Sequence, residues 1–138
     1  MARAPDLNNP AIRSVATVGK LEELFGQKAR LEYPRFSYKA NVVTVEAELE
    51  HAQVWLQFMP SQGWAELRIV GRPFSIVKLC LSDVSHLNVR RRDKNLVLVI
   101  RFARAFTSDL ILWFRPQVML FWGNQGPGSV EPLESASR

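Results

Sequence analysis

Ser82-Asp83-Val84-Ser85-His86 brings two hydroxyls, a carboxylate and an imidazole within five residues, the side chains from which nucleophilic and acid–base sites are made. Such sites are defined by how the groups face one another in space, and this stretch lacks the Gly-x-Ser-x-Gly setting of a nucleophile elbow. It reads as a turn at a strand end, held by Asp and Ser hydrogen bonds. No residue is assigned a catalytic role, and the chain is read as a non-enzyme. Glu46, Glu48 and Glu50 alternate with apolar residues, so all three carboxylates share one face of a strand. A hard cation needs converging oxygens, whereas same-face neighbours on a strand stand about 6.8 Å apart. These carboxylates, and His51 in the loop that follows, read as a solvated or ion-paired surface. Two histidines and one cysteine have no metal-ligand spacing. Neither a metal nor a cofactor is expected. Gly123-Asn124-Gln125-Gly126-Pro127-Gly128 has the glycine density of a phosphate loop, but Pro127 interrupts it and no helical pattern follows.

Binding chemistry has better candidates. Arg90-Arg91-Arg92-Asp93-Lys94 is the densest basic knot in a chain of net charge +5. Read as a loop anchored by strands, Arg90, Arg91, Arg92 and Lys94 form a polyanion contact that would engage nucleic acid through its phosphates. The plainer reading is a solvated hairpin loop that protects a sheet edge. Trp55 and Trp64 stand among Gln53, Gln57, Glu66 and Arg68, where a plain solvent face carries no indole. An indole beside a guanidinium is either a brace, worth about 0.5–1 kcal/mol when exposed, or an anchor for a partner.

The elements that position these residues follow from periodicity. In Val54–Phe58 and Ala65–Ile69 alternate residues are apolar, and Pro60-Ser61-Gln62-Gly63 lies between them as a turn. This pairs Val54 with Ile69, Leu56 with Leu67 and Phe58 with Ala65, and sets Trp55 beside Arg68 on the other face. A four-residue loop over Glu50–Gln53 would set Leu49 opposite Val54 and Glu48 beside Trp55. Glu48, Trp55 and Arg68 then form a row, the expected partner-binding face. Strands are expected over Val42–Leu49, Val54–Phe58, Ala65–Val70, Ile76–Leu81, Leu96–Phe102, Leu110–Arg115 and Val118–Trp122. Upstream, Asn9 and Pro10 have the form of a helix start, Leu21–Phe25 followed by Gly26 that of a helix end, and Gly19 is a possible break between two short helices.

The expected fold is therefore α+β, mainly β: an N-terminal helical segment on an antiparallel meander of six or seven strands. At 138 residues and 47% hydrophobic content the chain suits one domain, taken as residues 1–123, with a flexible tail over 124–138. Leu110–Phe114 and Val118–Trp122 are apolar at odd and even positions alike, so both their faces need cover, from the helical segment or from a second copy in a homodimer. Cys80, within Val77-Lys78-Leu79-Cys80-Leu81, reads as a strand position near the core. The first residues lack a secretory signal and no run has the length of a membrane span, so a cytoplasmic setting without membrane contact is expected.

Leu24-Phe25-Gly26, Tyr33-Pro34-Arg35-Phe36, the strand from Val42, Leu79-Cys80-Leu81-Ser82-Asp83-Val84 and a late strand pair together resemble a small bacterial immunity-protein family of polymorphic toxin systems. Where that family opens its first strand with Pro-x-Phe-His-Asp, this chain has Ser37-Tyr38 after Phe36. The resemblance implies a compact bacterial α+β domain in the cytoplasm that acts by binding another protein, such as a toxin domain.

Overall fold

The computed structural model describes residues 10–73, 75–104 and 107–123. Among these residues, ten strands and one α-helix fold as two five-stranded sheets around a shared core. The strands are β1 (Ser14–Val15), β2 (Arg30–Leu31), β3 (Val43–Glu48), β4 (Ala52–Met59), β5 (Trp64–Gly71), β6 (Ser75–Leu81), β7 (Val84–Arg92), β8 (Asn95–Phe102), β9 (Leu110–Trp113) and β10 (Met119–Trp122), with α1 over Val18–Phe25. The first sheet has the order β1-β7-β8-β9-β10 and the second β2-β3-β4-β5-β6. The chain is thus α+β and mainly β, with its strands divided between two sheets instead of joined in one meander.

The inner faces meet in one core. Val45, Val54, Leu56 and Leu67 of the second sheet share it with Leu87, Leu98, Ile100 and Leu112 of the first. Helix α1 adds Leu21, Leu24 and Phe25, an i, i+3, i+4 stripe on one face. Phe25 meets Phe114 edge to face, with ring centroids 4.9 Å apart. The Thr17 hydroxyl caps the helix by accepting the Lys20 N–H at 3.2 Å, and Gly26 ends it in the left-handed region (φ 75°). The expected early helix start is not formed at Pro10, and Asn9 lies outside the described residues. Instead the segment from Pro10 is extended: Ile12 N–H donates to Pro60 O, and β1 pairs in parallel with β7. Long-range pairing overrides the local cap signal there. Gly19 lies within α1 and breaks nothing.

The β4–β5 register is as the alternation requires: Val54 with Ile69, Leu56 with Leu67, Phe58 with Ala65, and Trp55 with Arg68. The β3–β4 register differs by two residues. Ala47 faces Val54, Val45 faces Leu56, and Glu46 stands opposite Trp55, while Glu48 faces Gln53. A two-residue slip leaves every apolar side chain on its own face, so hydrophobic pattern cannot oppose it. The tighter turn settles the register, with Leu49 N–H donating to Ala52 O.

Three further expectations are corrected. The stretch from Val84 to Arg92, read as a turn followed by a basic loop, is a nine-residue strand, β7. Its hairpin to β8 turns on Asp93 and Lys94 alone, with Asp93 in the left-handed region (φ 53°) and Arg92 paired with Asn95. Cys80 is exposed, because Leu81 turns inward and Cys80 shares the outer row of Glu66. Helix α1 meets the late strands through Phe25 against Phe114, just past β9, while Leu110 and Leu112 point into the core shared by the two sheets. On the outer side of the late strands Val97, Val99 and Trp113 form a second small cluster with Ile111, Met119 and Phe121. Of the expected tail, residues 124–138 lie outside the described residues. No helix among the described residues is long and apolar enough to cross a membrane.

Candidate functional site

The outer face of the second sheet carries a continuous polar row around one indole. Register places Glu46, Trp55, Arg68 and Lys78 side by side on β3, β4, β5 and β6. The Arg68 guanidinium lies 4.3 Å from the centre of the Trp55 ring, and its Nε–H donates to Glu66 Oε2 at 2.6 Å. Lys78 Nζ stands 3.9 Å from the same oxygen. Glu66 is only 8% exposed at its side chain, so its charge is held by these two cations and not by bulk water. On the other side Arg30 pairs with Glu46 at 2.7 Å, and Gln57 donates to the Thr44 hydroxyl at 3.1 Å. Trp55 is half-buried between these pairs.

Of the expected row, Trp55 and Arg68 are brought together and Glu48 is not. Glu48 pairs with Arg72 at 3.0 Å, one position further along the face, and Glu46 occupies its place. Trp64, also expected on this face, is 2% exposed, and its indole N–H has no hydrogen-bond partner among the described residues. The three carboxylates of β3 and its turn are separated as strand spacing requires: Glu46 pairs with Arg30, Glu48 with Arg72, and Glu50 lies 3.8 Å from His51.

Ser85 and His86 are in contact, with Oγ and Nδ1 2.8 Å apart, but Asp83 completes no triad. Its carboxylate pairs with Arg104 at 2.9 Å, and its backbone turns through φ 56° to start β7. The basic knot is divided by strand alternation. Arg91 follows Leu87 and Val89 on the inner face of β7, whereas Arg90, opposite Val97, lies on the outer face with Trp113 in the same row.

An exposed aromatic pair lies in the Tyr33-Pro34-Arg35-Phe36 segment, to which the sequence reading gave no site role. Tyr33 and Phe36, 46% and 58% exposed, lie with ring centroids 5.5 Å apart in the connection from β2 to β3. Buried Asn41 shapes that connection: Oδ1 accepts Tyr33 N–H at 2.9 Å, and Nδ2 donates to the Tyr33, Phe36 and Ser37 carbonyls. A hydrogen bond to Glu32, with its negative charge, raises the Tyr33 phenol above its usual range. The signal available in sequence was Asn41 itself, a polar residue directly before an apolar strand.

No protein-family model matches this chain, and no curated protein does. Among solved structures it is similar to a chain of the contact-dependent growth inhibition toxin–immunity protein complex from Klebsiella pneumoniae 342. The likeness is one of fold. The TM-score is 0.65 at 13% identity, covering 80% of this chain and 95% of that one. The weak resemblance to immunity proteins of toxin systems is thereby met at the level of architecture.

Proposed function

We propose that this chain is a noncatalytic, immunity-like protein-binding domain of the bacterial cytoplasm, which engages a toxin domain or another bacterial protein through the Trp55–Arg68 face. The observation that carries the reading is the Arg68 guanidinium stacked on Trp55 within a row of satisfied charges. Such a surface is already ordered before contact, so a partner loses little entropy in ordering it. Aromatic and arginine side chains are also the commonest anchors of protein interfaces. The fold shared with a chain of a toxin–immunity complex supports a protein partner. Glu46 and Lys78 extend the face on either side, and Glu48, two residues from Glu46, belongs to its margin.

Trp55→Ala tests the reading. Because Trp55 is half-buried outside the core, its loss is expected to lower the melting temperature by less than about 4 °C, yet to abolish capture of the native partner. A variant that melts far below wild type and still captures the same partner would make Trp55 a brace.

A further inference from the structure

A concavity of about 270 Å³ opens where the end of α1 meets the β7–β8 hairpin and the residues after β9; Glu23, Leu24, Arg91, Lys94, Leu96 and Arg115 line it, over buried Phe114. We propose that this is a binding site for a phosphate monoester carried on a small apolar body. The site lies apart from the Trp55 face and does not depend on it.

Charge is the first argument. Arg91, Lys94 and Arg115 are exposed at the pocket, and none forms an ion pair among the described residues. Arg30, Arg68, Arg72, Arg101 and Arg104 have a carboxylate partner, and exposed Arg13, Arg35 and Arg90 have none among the described residues; what sets Arg91, Lys94 and Arg115 apart is that they line one concavity together. Attraction to the C-terminal end of α1 would be the plain reason for cations here. That end is equivalent to about half a negative charge, and with Glu23 it offsets about 1.5 of the three positive charges. A surplus of about +1.5 remains, and a phosphate monoester carries about −1.5 to −2 near pH 7.

Placement is the second argument. The two-residue turn at Asp93 and Lys94 fixes Lys94 to the end of β7, and Arg91 pairs with Leu96 across the hairpin. Arg91 therefore stands on a strand and Lys94 in its two-residue turn, while Arg115 lies two residues past the end of β9. Arg90 lies on the opposite face of β7, so the basic knot does not form one track for a polymeric backbone. It gives up part of its charge to a compact pocket. Leu24 and Leu96 supply an apolar wall, and the volume is below the range of about 300 Å³ upward that drug-sized ligands fill. The ligand is accordingly a phosphate on a body no larger than one ring.

Titration of the full chain with phenyl phosphate, followed by calorimetry and by amide shifts, tests the site. Expected is saturable binding, with shifts at Arg91, Lys94 and Leu96, weakened at least about tenfold in Arg91→Ser/Arg115→Ser, which melts with wild type because both side chains are exposed. Glu23→Gln should tighten it. Benzenesulfonate, a monoanion of similar shape, should bind several-fold more weakly, and phenyl phosphate itself should weaken as pH falls through about 6, where it loses its second charge. The proposal is overturned by no saturable binding at about 10 mM ligand, by equal affinity in the double variant, or by weaker binding in Glu23→Gln. Oligonucleotide binding that needs Arg90 as much as Arg115 would also overturn it, in favour of a polyanion surface.

Discussion

Tyr38 ties two distant parts of the chain together through one hydroxyl. It donates to the Ala16 carbonyl at 2.7 Å, and its ring stands edge-on to Phe58 with centroids 6.3 Å apart. Burial raises its pKa well above the ordinary value of 10.0. The folded state therefore keeps a proton that the unfolded chain loses, and stability is full below pH 10.0 and falls as pH rises beyond it. Tyr38→Phe is expected to cost about 1 kcal/mol at neutral pH by leaving Ala16 O unpaired, and to remove part of the alkaline loss; urea melts at pH 7 and above pH 10 measure both. At this scale Trp55 and Arg68 were legible because they lie on one hairpin whose turn admits one alignment. Trp64 was not, since alternation assigns it to the outer face without showing what covers it there.

The β4–β5 hairpin is the element on which the second sheet is organised. Leu56 is fully buried opposite Leu67, and Leu56→Ala should destabilise the protein by about 2–5 kcal/mol in denaturant melts. A loss under about 0.5 kcal/mol would contradict the register. Removing the Thr17 hydroxyl as Thr17→Ala should cost about 1 kcal/mol, since the α1 cap is lost while nothing in the core changes. The strands of this sheet could be read because each shows a clean two-residue period. Strand β7 could not: polar Ser85 and Arg91 occupy inner positions, a bulge between Val84 and His86 breaks the phase, and Arg90-Arg91-Arg92 has the composition of a loop. Its period survives only in Leu87 and Val89. The β3–β4 offset had a different cause, because a slip of two residues costs no hydrophobic contact and only the local turn decides it.

Across the whole molecule, the segment from Pro10 to Ala16 joins the two sheets. Ile12 N–H reaches Pro60 O beside the second sheet, while Arg13 and Ala16 N–H reach Ser85 O and Leu87 O on the first. Gly63 makes this possible. It adopts φ 61°, and a Cβ there would collide with Pro10 O, so Gly63→Ala should destabilise by more than about 1 kcal/mol, read as a lower denaturant midpoint. The two-sheet division was hidden from sequence because the inner faces of both sheets have the same alternation, and nothing local says which strand ends one sheet and begins the next. The parallel pairing of Ser14 with His86 also imposes an order in time. In a chain made from its N-terminus at about 5–20 residues per second, β1 is synthesised several seconds before the strand it joins. The hairpins of β3 to β6 can close meanwhile, each with its neighbour in sequence. The edge of β7 is thus sealed by a segment made before the second sheet, and that segment waits while the second sheet is being made.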